Sequence, residues 1–249
     1  MLRTDRNPAR PIMGAAMRGP LTIAVAQPEC EPFDVAANAE HHAEVVRRAH
    51  AQMVIFPQLS LTGYELGAPP ITHRDQRLAP VVEACAEVGA LALVGAPVHG
   101  ETGRSHIGML AVSSGGVTVA YHKMWLEGEE PHRFAQGNTP SVLSVDGWRV
   151  GLAVGRDLWE PQHVADTALG GLDLYAAATV THPHEAIRQE ERAHEIAIGY
   201  QVWVAVASFA GITDGYSQAA GRSTIWSPTG DIVAQVDAEV GAVARATLQ

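Results

Sequence analysis

The sequence is poor in lysine, in cysteine and in long apolar runs. Its 249 residues include 17 basic side chains, of which only Lys123 is a lysine, and two cysteines, Cys30 and Cys85. Two cysteines are too few for a disulfide framework, so a reducing cytoplasm is the expected setting. No apolar stretch reaches the roughly 20 residues that a membrane-spanning helix needs, and we expect no membrane partner.

Positive charge is also scarce. The formal net charge is -10. Non-specific nucleic-acid binding needs a basic face that releases counterions from the phosphate backbone. We therefore expect a small-molecule ligand or a protein partner and no nucleic acid.

The length and the apolar content fit one large α/β domain. Apolar residues make up 47% of the chain, which is enough for a single core. Residues 1–20 contain four arginines and three prolines but no apolar run of signal-peptide length. We predict a disordered leader over 1–20 and a single domain over 21–249.

Short apolar runs alternate with amphipathic stretches along the domain. This pattern predicts helices at Val35–Ala49, Val81–Val88 and Glu185–Tyr200, and buried strands at Leu21–Ala26, Gln52–Phe56, Leu91–Ala96, Leu172–Ala177 and Val202–Ala207. The strand from Leu91 is expected to stop at Pro97. Hairpins are predicted around residues 113–116, 146–147 and 228–230. Strand-helix repeats mixed with hairpins indicate two mixed sheets packed face to face with helices outside.

The single lysine is the first candidate functional residue. The chain uses arginine at 16 other positions, so position 123 is one where a compact and deprotonatable ammonium is needed. The alternative is a lysine left by chance on a solvated surface.

Three segments carry a resemblance to a known family. They are Val54 to Glu65 (VIFPQLSLTGYE), the stretch with Tyr121-His122-Lys123 and Glu130, and Val150 to Pro161 (VGLAVGRDLWEP). In this order they resemble the glutamate, lysine and cysteine segments of the nitrilase superfamily of carbon-nitrogen hydrolases. The resemblance continues through Arg192-Ala193-His194-Glu195 and Gly221-Arg222-Ser223.

The resemblance implies a four-layer α-β-β-α sandwich that pairs into dimers or larger homo-oligomers. Active members cleave nitriles, amides or carbamoyl groups with a cysteine nucleophile, a glutamate base and a lysine that stabilises the tetrahedral intermediate. It implies no metal and no organic cofactor. The second glutamate, which orients the lysine, matches Glu130.

Two of the three catalytic positions are replaced in this chain. Gln58 stands where the resemblance places the glutamate base, and Gly155 stands where it places the cysteine. Glycine offers no thiolate, and a neutral amide cannot take up a proton at working pH. Loss of such a nucleophile costs on the order of 10⁶ in turnover. Glycine at this turn is expected to leave a thiol-sized gap for ligand or water.

Other groups could replace the lost chemistry. Cys30 and Cys85 lie outside the nucleophile turn, and ordinary structural thiols are the default interpretation. His182, His184 and Glu185 could bind a metal or supply a base, although a Pro between two histidines is typical of a surface helix start. With Gln58 neutral, Lys123 loses one expected anionic neighbour, and a neutral lysine could act as a base or form a Schiff base. The alternative is a plain Lys123–Glu130 ion pair.

The remaining candidates are expected at the mouth of a small-molecule pocket. They are the substrate-binding candidates Tyr64, Trp125, Arg156, Trp159, His182 and His184. The aromatic members could line an apolar pocket, although core packing explains each of them equally well.

Two functions remain open at the level of sequence. The first is a protein of the nitrilase fold that has lost thiol-dependent hydrolysis and binds a small molecule or a partner subunit. The second is a repurposed enzyme that uses Lys123 and Glu130, with His182 or His184, for cysteine-independent chemistry in small-molecule biosynthesis. A third hypothesis is that one or both replacements were introduced to trap a substrate complex.

Overall fold

The computed structural model describes residues 18–100 and 103–249. Nineteen helices and strands lie in these ranges: β1 Leu21–Ala26, α1 Val35–Ala49, β2 Met53–Ile55, α2 Ala79–Val88, β3 Leu91–His99, β4 Ser105–Ser113, β5 Gly116–His122, α3 Glu130–Arg133, β6 Val142–Val145, β7 Trp148–Val154, α4 Pro161–Ala168, β8 Leu174–Thr179, α5 Ala186–Tyr200, β9 Trp203–Ser208, β10 Ala210–Thr213, β11 Tyr216–Ala220, β12 Thr224–Trp226, β13 Ile232–Gln235 and β14 Val243–Leu248. The predicted leader falls mostly on 1–17, outside the described residues.

The strands form two six-stranded mixed sheets and one separate hairpin. The first sheet has the order β14-β1-β2-β3-β4-β5, the second has the order β13-β12-β9-β8-β7-β6, and β10 pairs with β11. Strands β1, β2 and β3 run parallel, as do β7, β8 and β9. Each sheet therefore has a parallel centre and antiparallel edges.

Three apolar clusters hold four layers together. The inner faces of the two sheets pack against each other, with Ile23 and Ile55 on one side and Leu152 and Leu174 on the other. Helices α1 and α2 cover the outer face of the first sheet, and α4 and α5 cover the outer face of the second. These layers confirm the predicted α-β-β-α sandwich.

Strand β1 shows how the sequence produces this layering. It is buried on both faces, so its residues are apolar at nearly every position. Alternate side chains point to opposite faces, and Ile23 and Val25 enter the core between the sheets while Ala24 faces the helices. Helix α1 begins where the Asp34 carboxylate accepts hydrogen bonds from two backbone N–H groups of its first turn.

The prediction that a strand stops at Pro97 is wrong, because β3 continues to His99. The backbone N and C=O of one strand residue point to the same side, and the Pro97 carbonyl accepts a hydrogen bond from Ile71 on the edge opposite β4. The missing N–H of Pro97 therefore removes no bond from the ladder with β4. Sequence patterning also missed α4, the β10–β11 hairpin and β14.

The parallel strands bring the chain turns of the site together. The segment with Gln58 follows β2, Gly155 follows β7, and Thr179 ends β8. Ligands of α/β sheets bind beyond the carboxyl ends of parallel strands, which is where these residues lie. None of the helices in the described part of the chain is long and apolar enough to cross a membrane.

Candidate functional site

Gln58 lies in a tight turn that packs directly against β3. The turn follows Pro57, and its next residue, Leu59, has a left-handed backbone with φ of 55°. Gly95 in β3 makes the packing possible, because a Cβ there would overlap the backbone of the turn and lie 3.0 Å from the Gln58 carbonyl carbon. The turn holds the Gln58 side chain fully buried.

Lys123 follows directly after β5 and is fully buried, as is Glu130. The Lys123 Nζ donates to both carboxylate oxygens of Glu130, each at 2.7 Å. A second carboxylate, that of Glu127, lies 3.5 Å from the same nitrogen. Lys123 lacks the carboxylate that Gln58 replaces, but two other carboxylates lie beside it, and the plain Lys123–Glu130 ion pair is the arrangement in the structure.

Glu130 accepts more hydrogen bonds than those from the lysine. Its Oε1 also accepts from the Gln58 Nε2 at 2.7 Å and from the Tyr64 hydroxyl at 2.9 Å, and its Oε2 accepts from the Glu127 backbone N–H at 2.9 Å. Together these donors hold the carboxylate in one orientation. Glu130 is a fixed partner of Lys123.

Gly155 opens the short 3-10 turn after β7, with φ of 52°. A Cβ at this position would overlap the Gln58 Oε1 and would lie 2.6 Å from the Lys123 Nζ. The expectation of a thiol-sized gap is therefore wrong, since the ends of these two side chains occupy that space. The Gln58 Oε1 itself is buried without a hydrogen-bond partner among the described residues.

Asp157 ties the lysine segment to the turn at Gly155. Its carboxylate accepts from the backbone N–H of Met124, Trp125 and Val154, at 2.9 to 3.2 Å, and from the Tyr121 hydroxyl at 2.7 Å. Burial raises the pKa of Asp157 to about 6, and these hydrogen bonds act in the opposite direction. The network fixes the two segments relative to each other.

A pocket of about 170 Å³ opens on Gly155. Its wall contains Glu127, Gly155, Arg156, Trp159, Thr179, Val180, Thr181, Glu185, Arg188, Gln189 and Tyr216. A cavity holds a water molecule once it offers about 10–15 Å³, so this one has room for a small organic ligand. The wall is mostly polar and charged.

Two of the six residues predicted to bind substrate, Arg156 and Trp159, lie in this wall. The other four, Tyr64, Trp125, His182 and His184, are not part of it. The Tyr64 hydroxyl donates a hydrogen bond to Glu130, and the Trp125 ring packs edge-on against His163 with 5.5 Å between the ring centres. His182 stacks on Tyr216 at 4.3 Å, and His184 stacks on His182. Within 18–100 and 103–249 no group of three or more His, Cys, Asp or Glu side chains could hold a metal ion.

Sequence reasoning missed six residues of the pocket wall: Glu127, Thr179, Val180, Arg188, Gln189 and Tyr216. Glu127 follows Lys123 by four residues, but this spacing predicts an ion pair only on a helix, and residues 123–127 do not form one. Gln189 is a polar residue on the buried face of α5, but its burial follows from the packing of that helix on the second sheet. Tyr216 belongs to the hairpin that the sequence pattern did not predict.

Comparison with known proteins places this geometry in a family. The carbon-nitrogen hydrolase family model matches residues 22–249. A protein of Pseudomonas protegens described as "Hydrolase in pqqF 5'region" is 26% identical over 244 residues, which cover 91% of this chain and 83% of that protein. A glutamine-dependent NAD(+) synthetase of Xylella fastidiosa is 30% identical over 185 residues, 69% of this chain, and the match spans only 34% of the synthetase.

Solved structures share the fold at low sequence identity. A CN-hydrolase superfamily protein of Xanthomonas campestris with an arsenic adduct in its active site has a TM-score of 0.81 at 19% identity, covering 93% of this chain and 91% of that one. A double mutant of the Nesterenkonia sp. AN1 amidase, in complex with acrylamide, has a TM-score of 0.80 at 23% identity, covering 92% and 90%. The chain belongs to the carbon-nitrogen hydrolase family.

Proposed function

We propose that this protein binds a small molecule in the pocket at Gly155 and does not carry out thiol-dependent carbon-nitrogen hydrolysis. The observation that carries the proposal is the filled space at Gly155. This residue has no side chain, and the volume in which one would lie is occupied by the Gln58 Oε1 and the Lys123 Nζ. No acyl-enzyme can form at this position.

The two cysteines offer no replacement nucleophile. The Cys30 thiol lies 3.3 Å from the Ser60 carbonyl oxygen, and burial raises its pKa far above the usual range. Cys85 is buried within α2, where burial raises its pKa to about 11. Both thiols stay protonated near neutral pH, whereas the nucleophile of thiol chemistry is the thiolate.

A structural relative supports ligand binding without hydrolysis. The amidase double mutant from Nesterenkonia sp. AN1 carries one Glu-to-Gln and one Cys-to-Ala replacement and is described in complex with acrylamide. In this chain the same kinds of side chain, a glutamine and a residue without a thiol, stand at the two positions that the resemblance assigns to catalysis. A pocket of this fold can therefore hold a ligand after both replacements.

Hydrolysis assays test this proposal. We expect purified protein to release no ammonia or carboxylate from a panel of amides, nitriles and carbamoyl compounds. The matched control is Lys123→Ala, which removes the lysine that the resemblance assigns to catalysis. Turnover of any panel compound by the wild-type protein that disappears in Lys123→Ala would overturn the proposal.

The retained lysine favours a second candidate, a repurposed enzyme. Lys123 is fully buried beside Glu130, and a buried ion pair is retained at an energetic cost. In this candidate Lys123 and Glu130, with His182 or His184, perform cysteine-independent chemistry on a small molecule. It requires that Lys123→Arg or His184→Ala changes the metabolite profile of the producing cell, and an unchanged profile in both variants would exclude it.

A further inference from the structure

Two buried oxygens in the pocket wall have no hydrogen-bond partner among the residues that the structure describes. They are the Thr179 Oγ1 and the Gln189 Oε1, on side chains that are 1% and 3% exposed. Leaving such a buried atom unpaired is unfavourable, so a ligand that satisfies it gains affinity. An amide oxygen can only accept, so a group that satisfies Gln189 must donate a hydrogen bond.

The charged side chains around the pocket leave an excess of negative charge. Lys123 is paired with Glu130 at 2.7 Å, and Arg156 is paired with Glu160 at 2.7 Å. The other charged side chains of the wall are Glu185, Arg188 and Glu127, and Glu127 shares the single charge of Lys123 with Glu130, at 3.5 Å from its Nζ. Arg188 is exposed and its guanidinium lies 5.2 Å from the Trp159 ring centre, so it sits at the rim. Two carboxylates thus face one peripheral cation.

The same negative charge contributes to a raised pKa of the Tyr216 hydroxyl. Its ring lies in the pocket wall, stacked on His182. Burial raises the pKa of its hydroxyl to about 12, and the charges of Glu127, Glu185 and Glu130 add to the effect. A site in which three carboxylates disfavour a further negative charge is complementary to a cation.

We propose that the pocket binds a small primary ammonium ion, which donates hydrogen bonds to the Thr179 Oγ1 and the Gln189 Oε1 while Glu127 and Glu185 balance its charge. An ammonium group carries three donors and no acceptor, so it can satisfy both of the unpaired oxygens at once. A carboxylate would meet the like charges of Glu127 and Glu185. This inference rests on the proposed function, because it assigns a ligand class to the same non-hydrolytic pocket.

Three probes of similar size and different charge test the assignment. The dissociation constants of n-butylammonium, butyramide and butyrate are measured by ligand-observed NMR titration at pH 7. We expect n-butylammonium to bind at least about tenfold more tightly than the other two, as a hydrogen bond to a charged group is the stronger one. Equal or tighter binding of butyramide or butyrate, or no binding of n-butylammonium, would overturn the inference.

Variants in α5 and in the turn directly before it test where the ammonium ion binds. Glu185→Gln and Gln189→Leu should each weaken n-butylammonium binding about tenfold, whereas Glu191→Gln, an exposed carboxylate of α5 outside this pocket, should leave it unchanged. Thermal unfolding confirms that each variant is folded. Equal affinities of Glu185→Gln and Glu191→Gln would overturn the inference. Hydrolysis of butyramide would instead overturn the proposed function, and tight binding of intact butyramide would leave that function standing.

Discussion

Lys123 carries the strongest electrostatic interaction of the site at the scale of a single residue. Its ammonium group and the Glu130 carboxylate are both fully buried and in contact at 2.7 Å. Removing one partner of a buried pair leaves an uncompensated charge, which costs about 3–5 kcal/mol. We expect Lys123→Met to lower the free energy of unfolding by about this amount in urea titrations.

Two controls separate charge from packing in this experiment. Lys123→Met combined with Glu130→Gln removes both charges, and it should recover a large part of the lost stability. Arg47→Met removes one partner of a solvent-exposed pair with Glu87, and it should change the free energy of unfolding much less than Lys123→Met does. A Lys123→Met protein as stable as Arg47→Met would contradict the buried pair.

Gly155 allows a second prediction at the same scale. Gly155→Cys places a side chain against Gln58 and Lys123 at a residue with φ of 52°. Overpacking of this kind costs about 1–3 kcal/mol, and the left-handed backbone adds strain. We expect the variant to be destabilised in urea titrations and to form no acyl-enzyme detectable by mass spectrometry with amides.

The steric overlap of a side chain at position 155 involves only a few neighbouring atoms, so a second substitution should relieve part of it. Gln58→Ala removes the side-chain oxygen that the new Cβ would overlap. The double variant should therefore be more stable than the sum of the two single effects predicts. Simple additivity, or acyl-enzyme in the single Gly155→Cys variant, would contradict the geometry of this site.

At the scale of elements, the turn after β2 depends on one glycine in the neighbouring strand. Gly95 lies in the buried middle of β3, where a Cβ would overlap the backbone of the Gln58 turn. Backbone atoms cannot move away as a side chain can. We expect Gly95→Ala to lower the free energy of unfolding by at least about 1–3 kcal/mol.

A glycine in open space provides the matched control. Gly199 lies in α5, and a Cβ there meets no atom within 4 Å. Because glycine is an unfavourable helix residue, Gly199→Ala should raise the free energy of unfolding by up to about 1 kcal/mol. If Gly95→Ala and Gly199→Ala changed the free energy of unfolding equally, β3 and the Gln58 turn would not be in close contact.

At the scale of the whole molecule, three buried groups couple stability to pH. Burial lowers the pKa of His42 from 6.5 to about 3 and that of His163 to about 4, and it raises the pKa of Asp157 from 3.8 to about 6. Near pH 5 the unfolded chain binds one more proton at each histidine, whereas the folded protein binds one more at Asp157. As the pH is raised through 5, these three groups together should increase the free energy of unfolding by about 1.4 kcal/mol per pH unit.

Two variants change this slope in opposite directions. His42→Gln removes one proton taken up on unfolding and should flatten the pH dependence between pH 4.5 and 5.5 by about 1.4 kcal/mol per unit. Asp157→Asn removes the opposing group and should steepen the dependence by a similar amount. Urea titrations at several pH values give the three slopes, and identical slopes would refute the assignment of these groups.

Assembly is a further property of the whole molecule, and we predict a homodimer or larger homo-oligomer. Ile187 and Ile198 are 58% and 47% exposed on α5, eleven residues or about three turns apart, so they share one face. Light scattering after gel filtration should give at least twice 26.4 kDa. Replacing both isoleucines with glutamate should lower that mass, and Leu169→Glu, an exposed apolar residue elsewhere, should not. A monomeric wild-type protein would contradict the prediction.

The sequence by itself determined the family, the sandwich fold and the residues that meet in the candidate site. Apolar periodicity placed β1 and α1 with their bounds, because burial imposes a regular pattern on local segments. The resemblance singled out Gln58, Lys123, Glu130 and Gly155, and the structure brings all four together.

Only the tertiary structure decided what fills the space at Gly155 and what lines the pocket. The overlap depends on two side chains, Gln58 and Lys123, and on the backbone at Gly155, which lie far apart in sequence, and no local pattern encodes it. The same holds for Thr179 and Gln189, whose unpaired oxygens become meaningful only once β8 and α5 bury them. Pro97 shows the reverse case, in which a local rule fails because the missing N–H points away from β4.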